Sequence, residues 1–356
     1  MTTVGLDLHK RYITACALDA DGRIVAERRR IRPELSDVMA FLEPFAAPVT
    51  IALEATLYWA WLEQQLTARG HAVEVAHAHQ VKLIWQARAK TDPIDAYKLA
   101  ELSRVHCFPA IWIADPDTRA RRVLLRGRAQ LVRVRTQLKN RVHGLLISVN
   151  CRWERSDLYG VAGRAWLAAL ALPPAVRQQV DVYLEVLDAI TARIKRLDRA
   201  VLVAAKAEPR AAQLQTVPGI GPFGALLILA EIGDVARFRT SHELAAFAGL
   251  VPTTRSSGDK TTHGSVGRSG SPWLKWILIE VVQALKLAPG PIGLHYEHLV
   301  RAKGKQKATV AAARKLCCYL FWMLTKGWTY DEWLQQHEDP HHELGVRPRQ
   351  RMGSAA

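Results

Sequence analysis

The sequence predicts a mixed α/β domain followed by a mainly helical region, within a chain of 356 residues. Three observations support this fold class. Short β-rich segments alternate with helical segments through about the first hundred residues. From Thr118 onward, apolar residues recur at spacings of three, four and seven, which is typical of long amphipathic helices. Hydrophobic residues make up 49% of the chain, which excludes a mainly disordered protein.

Three strands are predicted at the start of the chain. The segments TTVGLDLHK, RYITACALD and RIVAERRRI are apolar or alternating, and DADG is a turn between the last two. They predict an antiparallel meander. A helix over 33–45, the strand VTIALEAT, a helix over 57–69 and the strand HAVEVA follow, and further helices run through Trp85 and from Asp92. This is the element order of a ribonuclease-H-like fold.

Two long helices are predicted in the middle of the chain. The apolar stripe of the first comprises Leu124, Leu131, Val134, Leu138, Val142, Leu145 and Val149. The stripe of the second, over about 175–205, comprises Val176, Val180, Leu184, Leu187, Ile190, Ile194, Leu197 and Val201. Such a pair fits either an antiparallel helical arm packed within the chain or an oligomerising coiled coil, and the pattern favours neither.

The third region begins near Gln215. TVPGIGPFGALLILAEIGD places Gly219 and Gly221 in a turn before an apolar helix, where backbone N–H groups can face a phosphate in a helix-hairpin-helix element. A plain helix turn fits nearly as well. A polar loop, a helix over 273–286 and a final helix over 307–326 follow. The predicted domains are 1–112, a helical arm over 113–208 and a C-terminal domain over 209–334, before a disordered tail over 335–356.

The chain carries a large excess of positive charge, with a formal net charge of +16 and a pI of about 9.9. This excess favours a polyanionic partner, most commonly nucleic acid. One stretch without any acid contains nine candidate phosphate contacts: Arg119, Arg121, Arg122, Arg126, Arg128, Arg133, Arg135, Lys139 and Arg141. The five cysteines form no CxxC pair and predict reduced thiols. No apolar run reaches the roughly 18 residues of a membrane span.

Two acids lie inside apolar strands, where an unpaired charge is unfavourable. Asp7 is in GLDLHK and Glu54 is in IALEAT, on strands that are neighbours in a ribonuclease-H-like sheet. Asp92 and Asp95 open a later helix in KTDPIDAYKLAEL, where Asp92 also fits the N-cap and Pro93 the first helical position. Four converging carboxylates would repel one another. A divalent cation with hard oxygen ligands, magnesium above all, would resolve that repulsion.

A candidate nucleophile lies in the polar loop, in RSSGDK. Ser256 and Ser257 precede Gly258 and fit a simple turn. The loop also holds donors suited to phosphate, namely Arg255, Lys260, His263 and Arg268. A serine hydroxyl there could attack phosphorus and form a covalent phosphoseryl link.

These motifs together resemble a known family. GLDLHK, LEAT and KTDPIDA are similar, in order and spacing, to the acidic motifs of the DEDD transposases of bacterial insertion sequences. VPGIGPFGALLILAEIGD, FAGLVP and SSGDK resemble the C-terminal block of that family. The resemblance covers roughly residues 4–326. It implies an N-terminal RuvC-like domain and a C-terminal domain with a catalytic serine.

The resemblance also implies roles for individual residues. Asp7, Glu54, Asp92 and Asp95 would bind magnesium, for which manganese can substitute. Ser257 would be the nucleophile, with Ser256 as the adjacent alternative. The protein would act on the DNA of donor ends and target, in the bacterial cytoplasm with the nucleoid.

The partners implied by the resemblance are further copies of the chain and an RNA. Dimers or tetramers would build composite sites, in which the RuvC-like domain of one subunit faces the serine domain of another. A structured bridge RNA would base-pair with target and donor DNA. Two other functions fit the residues: a RuvC-like nuclease that uses water as its nucleophile, and a non-catalytic scaffold that binds RNA or DNA.

Overall fold

The computed structural model describes residues 2–85, 91–257, 260–266 and 270–336, and for 254–257, 260–263 and 265 it describes the backbone alone. The chain divides into two compact units, Met1–Ala114 and Asp115–Ala356. The tail predicted to be disordered lies outside the described residues from 337 onward. Among the described helices, none is both long enough and apolar enough to cross a bilayer.

The first unit is built on a five-stranded sheet. Its elements are β1 (Thr3–Leu8), β2 (Ile13–Leu18), β3 (Ile24–Ile31), α1 (Leu35–Leu42), β4 (Thr50–Glu54), α2 (Trp59–Thr67), β5 (Ala72–Ala76), α3 (Ala78–Ile84) and α4 (Asp92–Arg104). The strand order is β3-β2-β1-β4-β5. The first three strands are antiparallel, while β4 is parallel to both β1 and β5. This topology is consistent with the predicted ribonuclease-H-like fold.

The two faces of the sheet pack against different helices. On one face, Leu6 and Leu53 are fully buried in a core shared with Val38 of α1 and Leu62 of α2. On the other face, α4 lies directly over β1 at Gly5. A Cβ atom at Gly5 would lie 2.0 Å from the Ala96 carbonyl oxygen, so only glycine allows this approach. The absence of a side chain at Gly5 therefore determines how closely α4 packs on the sheet.

The second unit is mainly helical. Its helices are α5 (Pro116–Ser148), α6 (Val161–Ala169), α7 (Pro174–Lys206), α8 (Pro209–Leu214), α9 (Pro222–Ile232), α10 (Ser241–Phe247), α11 (Pro272–Leu285), α12 (Pro291–Lys303), α13 (Lys305–Lys326) and α14 (Tyr330–Gln336). The apolar α9 is surrounded by the other helices, which explains why its sequence has no polar face. The helices α6, α8, α10, α12 and α14 were not predicted.

The long helices α5 and α7 pack against each other along the predicted stripes, with one correction. On α7, the fully buried residues Val180, Leu187, Ile194 and Val201 recur every seven positions, as predicted. On α5, however, the first half of the stripe is wrong. Leu125 and Ala129 are buried there, whereas Val134 is exposed, because this half also packs against α9 and so buries a face rotated by about one residue.

The polar, glycine-rich segment is a β-hairpin instead of the predicted loop. Strand β6 (Pro252–Ser257) pairs with β7 (Lys260–Val266) in antiparallel register. The alternating, β-branched residues of PTTRSS and KTTHGSV explain the strands. The sequence interpretation predicted a loop because it gave more weight to the glycines of this segment than to the β-branched residues.

Candidate metal centre and serine hairpin

The sheet brings Asp7 and Glu54 to neighbouring positions. In the parallel pairing of β1 with β4, Leu6 lies beside Leu53, and Asp7 and Glu54 are the next residues on the two strands. Adjacent strands are about 4.8 Å apart, and residues at matching positions share a face. Both acids therefore lie on the face that α4 covers, opposite the buried Leu6 and Leu53.

Helix α4 brings its own two acids to the same place. The backbone of α4 at Ala96 lies against Gly5 of β1. The first turn of α4 precedes Ala96, and Asp7 follows Gly5 by two residues on β1. The first turn of the helix therefore lies next to Asp7. The helix begins at Asp92, with Thr91 as the N-cap, and this corrects the prediction that Asp92 would be the cap. Because its carboxylate does not cap the helix, Asp92 is available for contacts with β1.

A histidine that the sequence interpretation missed lies between the acids. His9 Nε2 is 2.8 Å from Asp7 Oδ2 and 3.5 Å from Asp92 Oδ1. One atom from each of these three side chains lies within 4.8 Å of the other two. His9 follows Asp7 at a spacing of two, which places both on one face of an extended chain. That spacing is the signal by which His9 could have been found.

Two tyrosines hold this cluster in place. The Tyr12 hydroxyl donates to Asp92 Oδ2 at 2.9 Å, and the Tyr12 ring lies against the His9 ring with centroids 4.7 Å apart. The Tyr58 hydroxyl donates to the His9 carbonyl oxygen at 2.9 Å. His9 is therefore positioned through both its ring and its backbone, and Asp92 is oriented by the hydrogen bond from Tyr12.

The electrostatics of the cluster favour a cation. Burial raises the pKa of the Asp7 carboxyl above its ordinary value; His9 opposes this, and Asp95 and Asp92 add to it. The hydrogen bond to Asp92 raises the pKa of Tyr12. Burial, with a smaller effect of Asp7, raises the pKa of Tyr58 to about 12, so Tyr58 stays a hydrogen-bond donor near neutral pH.

The predicted tetrad is only partly assembled. Among the described residues, the close cluster comprises Asp7, His9 and Asp92. Asp95 acts on Asp7 electrostatically, and Glu54 occupies the neighbouring strand position, but neither belongs to that cluster. Since like charges repel, four carboxylates are expected to converge only around a cation. The oxygen donors fit magnesium or manganese, and the imidazole favours manganese over magnesium.

The predicted nucleophile lies at the tip of the hairpin. Ser257 is the last residue of β6 and pairs with Lys260, and Ser256 pairs with Thr261. The side chains of Arg255, Ser256, Ser257, Lys260 and His263, and all of Arg268, lie outside the described residues. The backbone thus places both serines and Lys260 together at one end of an antiparallel ribbon.

Comparisons with known proteins identify the family. The model of the DEDD transposases of IS110 matches residues 4–150. The model described as "Transposase IS116/IS110/IS902 family" matches residues 211–296. The chain belongs to the IS110/IS116 family of transposases. Members of this family are enzymes that cleave and transfer DNA.

Individual relatives extend the similarity over most of the chain. A Pseudomonas aeruginosa protein named "Probable family 20 transposase" is 29% identical, over 80% of this chain and 84% of its own length. The transposase for insertion sequence element IS1111A of Coxiella burnetii is 26% identical over 92% and 90%. The transposase for IS1328 of Yersinia enterocolitica is 23% identical over 93% and 99%.

Several of the basic residues predicted to contact nucleic acid serve the fold of the transposase. Arg126 forms two hydrogen bonds, of 2.8 and 2.9 Å, with the buried carboxylate of Glu231. Arg122 donates to the carbonyl oxygens of Ala230 and Glu231. Arg121 pairs with Glu208 at 3.0 Å, and Arg128 pairs with Asp198 at 2.8 Å. These four side chains hold α5 against the rest of the second unit, a role that the charge pattern alone did not indicate.

The remaining basic residues of α5 lie further along the helix. Arg133 and Arg141 are exposed and Arg135 is half-buried. Lys139 lies over the Tyr159 ring, with its Nζ 4.6 Å from the ring centroid. Arg119 is also half-buried, at the start of the helix. Within the basic stretch, Arg133, Arg135 and Arg141 are therefore the stronger candidates for contacts with phosphate.

The two glycines of VPGIGP have different roles in the transposase. Gly219 has a φ of 87°, and a Cβ atom there would lie 2.7 Å from the Ala284 side chain, so the fold itself requires glycine. Gly221 is the N-cap of α9, and a Cβ atom there would meet open space. Only Gly221 has the open surroundings that a phosphate contact needs.

Proposed function

We propose that this transposase cuts and rejoins DNA through a covalent phosphoserine intermediate at Ser257, assisted by a divalent metal site on the first unit. The observation that carries the proposal is the Asp7–His9–Asp92 cluster at the first turn of α4. Its partners within the site are Glu54 on the adjacent strand and Asp95 on the same helix turn. Family membership supports the assignment of Ser257, since SSGDK resembles the serine motif of the family.

The proposed reaction is a transesterification, so it needs no additional source of energy. The Ser257 hydroxyl oxygen forms a bond to phosphorus, and one P–O bond of the DNA backbone breaks. The proton lost by Ser257 ends on the departing sugar oxygen, which leaves as a hydroxyl. One phosphodiester replaces another, so a second sugar hydroxyl can attack the phosphoserine and reseal the strand. Lys260, whose backbone pairs with that of Ser257 in the hairpin, would supply positive charge to the phosphate.

Asp7, Asp92 and His9 would hold the metal ion, with Glu54 and Asp95 as the further acids. A bound divalent ion supplies Lewis-acid stabilisation of the charge that develops on the phosphate. Tyr12 keeps Asp92 oriented, and Tyr58 fixes the backbone of His9. These two hydrogen bonds hold the donors of the site in place before the ion arrives, which lowers the free energy cost of assembling it.

We further propose a bridge RNA and an oligomer as partners, on the strength of the resemblance and the net charge of +16. Base pairing by an RNA would read the DNA sequence, while the protein contacts phosphates. A dimer or tetramer would combine the acids of one subunit with the serine of another.

Denaturing gels of labelled donor DNA with the full chain and its RNA test the mechanism. We expect a protein–DNA adduct with the wild type and with Ser256→Ala, and none with Ser257→Ala. An adduct that persists in Ser257→Ala and is lost in Ser256→Ala would move the role to the neighbouring serine. Cleavage without any adduct that persists in both variants would overturn the phosphoserine mechanism and indicate hydrolysis by water. If the chain binds RNA but never cleaves, it acts as a scaffold.

A further inference from the structure

A groove lined by two tryptophans lies on the second unit, between α5 and α11. Trp273 and Trp276 of α11 form one wall, and Val132, Arg133 and Gln137 of α5 belong to the other. The volume of this aromatic groove is about 250 Å³, which is enough for a single nucleobase. It lies within one compact unit and does not include the metal cluster or the hairpin.

The tryptophans are held rigidly but are not buried. Their ring centroids are 5.9 Å apart at an interplanar angle of 83°, and Phe223 packs edge-on to Trp276 with centroids 6.4 Å apart. The Trp276 indole N–H donates to the Glu280 carboxylate at 3.1 Å, on the outer side of the helix. Both side chains remain half-exposed. Partly exposed aromatic rings with a fixed orientation are suited to stacking with a ligand.

The polar residues of the aromatic groove match a nucleotide. Arg133 is exposed at the groove, and no acidic residue is among the described residues that line it. Gln137, one helical turn further along α5, offers an amide with both donor and acceptor atoms. Next to the aromatic wall, Arg133 thus offers a group that can bind phosphate, and Gln137 offers a group that can hydrogen-bond to the edge of a base.

We propose that the aromatic groove binds one unpaired base of a DNA strand. The base stacks on Trp276, Arg133 contacts the adjoining phosphate, and Gln137 contacts the base edge. Such a site suits a protein that opens a duplex, because an unstacked base needs a new surface to cover its face. The proposal rests on the DNA-binding part of the proposed function, but not on Ser257 or on the metal site.

Fluorescence of 2-aminopurine, placed at successive positions of a single-stranded donor oligonucleotide, tests the proposal. The full chain carries Ser257→Ala, so the outcome does not depend on the cleavage chemistry. We expect strong quenching at one position, where the base stacks on indole, and weak quenching elsewhere. Trp276→Ala should abolish that quenching and weaken binding about tenfold, since stacking on an aromatic side chain contributes about that much per base. Trp276→Phe should retain most of the affinity.

Control variants separate a loss of stacking from a general loss of folding or binding. Trp166→Ala, which removes another half-buried tryptophan of the second unit, should leave the quenching unchanged. Arg133→Ala and Gln137→Ala change exposed side chains and should each weaken binding even if Trp276→Ala does not fold. Equal quenching at every position would overturn the proposal. So would tighter binding of the matching RNA strand, or a change of Trp276→Ala from oligomer to monomer, because these results would assign the groove to RNA or to a second copy of the chain.

Discussion

His9 Nε2 lies 2.8 Å from Asp7 Oδ2, which places an imidazole nitrogen inside a predicted site of four carboxylates. This contact changes the chemistry expected of the site, because nitrogen ligands favour manganese over magnesium. It also changes the roles expected of the flanking residues. Tyr12 and Tyr58 become residues that position His9 and Asp92.

The first prediction concerns the metal ligand. We expect pulsed electron paramagnetic resonance of Mn²⁺ bound to the full chain to show coupling to a directly bound ¹⁴N nucleus. His9→Asn should remove that coupling and weaken Mn²⁺ binding about tenfold, with a smaller effect on Mg²⁺. The control is His79→Asn, at an exposed position of α3. A nitrogen signal that survives in His9→Asn would show that His9 is not a ligand.

The second prediction concerns the approach of α4 to the sheet. In Gly5→Ala, the new methyl group would overlap the Ala96 carbonyl oxygen, so α4 must move away. We expect a loss of about 3 kcal/mol in the free energy of unfolding, together with weaker Mn²⁺ binding, since Asp92 and Asp95 move with the helix. Denaturant titration and calorimetry measure the two effects.

Gly144→Ala is the matched control for that variant. Gly144 lies in the exposed interior of α5, where a Cβ atom would meet nothing within 4 Å. Alanine should therefore stabilise the helix by about 0.5–1 kcal/mol. If both variants changed stability equally, the close contact at Gly5 would have no special role.

The third prediction concerns the ion pair that joins α5 to α9. Glu231 is only 2% exposed and accepts from both Arg126 and Ser271. Glu231→Gln should destabilise the chain by about 2 kcal/mol, below the usual 3–5 for a broken buried pair, because Arg126 is partly exposed and can turn to water. Asp181→Asn, which breaks an exposed pair with Arg177, should cost less than about 1 kcal/mol. Urea titration of both variants tests this ranking.

The fourth prediction concerns the basic face of α5. Replacing Arg133, Arg135 and Arg141 together with glutamine should weaken DNA binding. It should also lower the slope of log K against log salt by about 0.9 for each lost duplex phosphate contact. Replacing Arg121 and Arg128 instead should change the slope little, since both are paired with acids. An unaltered slope in the triple variant would refute phosphate contacts along this face.

The fifth prediction concerns acid stability. Burial, with a further effect of Lys315, lowers the pKa of His295 in α12 to about 4. The folded chain then binds fewer protons than the unfolded chain between about pH 6.5 and pH 4. The contribution of His295 to stability is therefore complete above about pH 6.5 and is lost as the pH falls toward 4. His295→Gln should flatten this fall in the unfolding free energy, whereas His242→Gln, at an exposed position of α10, should leave it unchanged.

Several features could be predicted because they depend on local patterns. Apolar residues at every second position predict the strands, and apolar residues at helical spacing predict most of the long helices. The order of these elements indicates the topology of the sheet. The acids Asp7 and Glu54 were found because a charge inside an apolar strand is unfavourable without a partner. The stripe of α7 was correct because a long helix that packs along one side keeps one periodicity.

The sequence by itself determined the α/β fold, the long helices, the excess of positive charge and the acids that were predicted to form a metal site. Only the tertiary structure decided which side chains meet. It placed His9 between Asp7 and Asp92, and it engaged Arg122, Arg126 and Arg128 within the second unit. The physical reason is that periodicity reports the environment of one element at a time. The partner of a charge is set by contacts between residues that are far apart in the chain, and a single sequence does not encode those contacts as a local pattern.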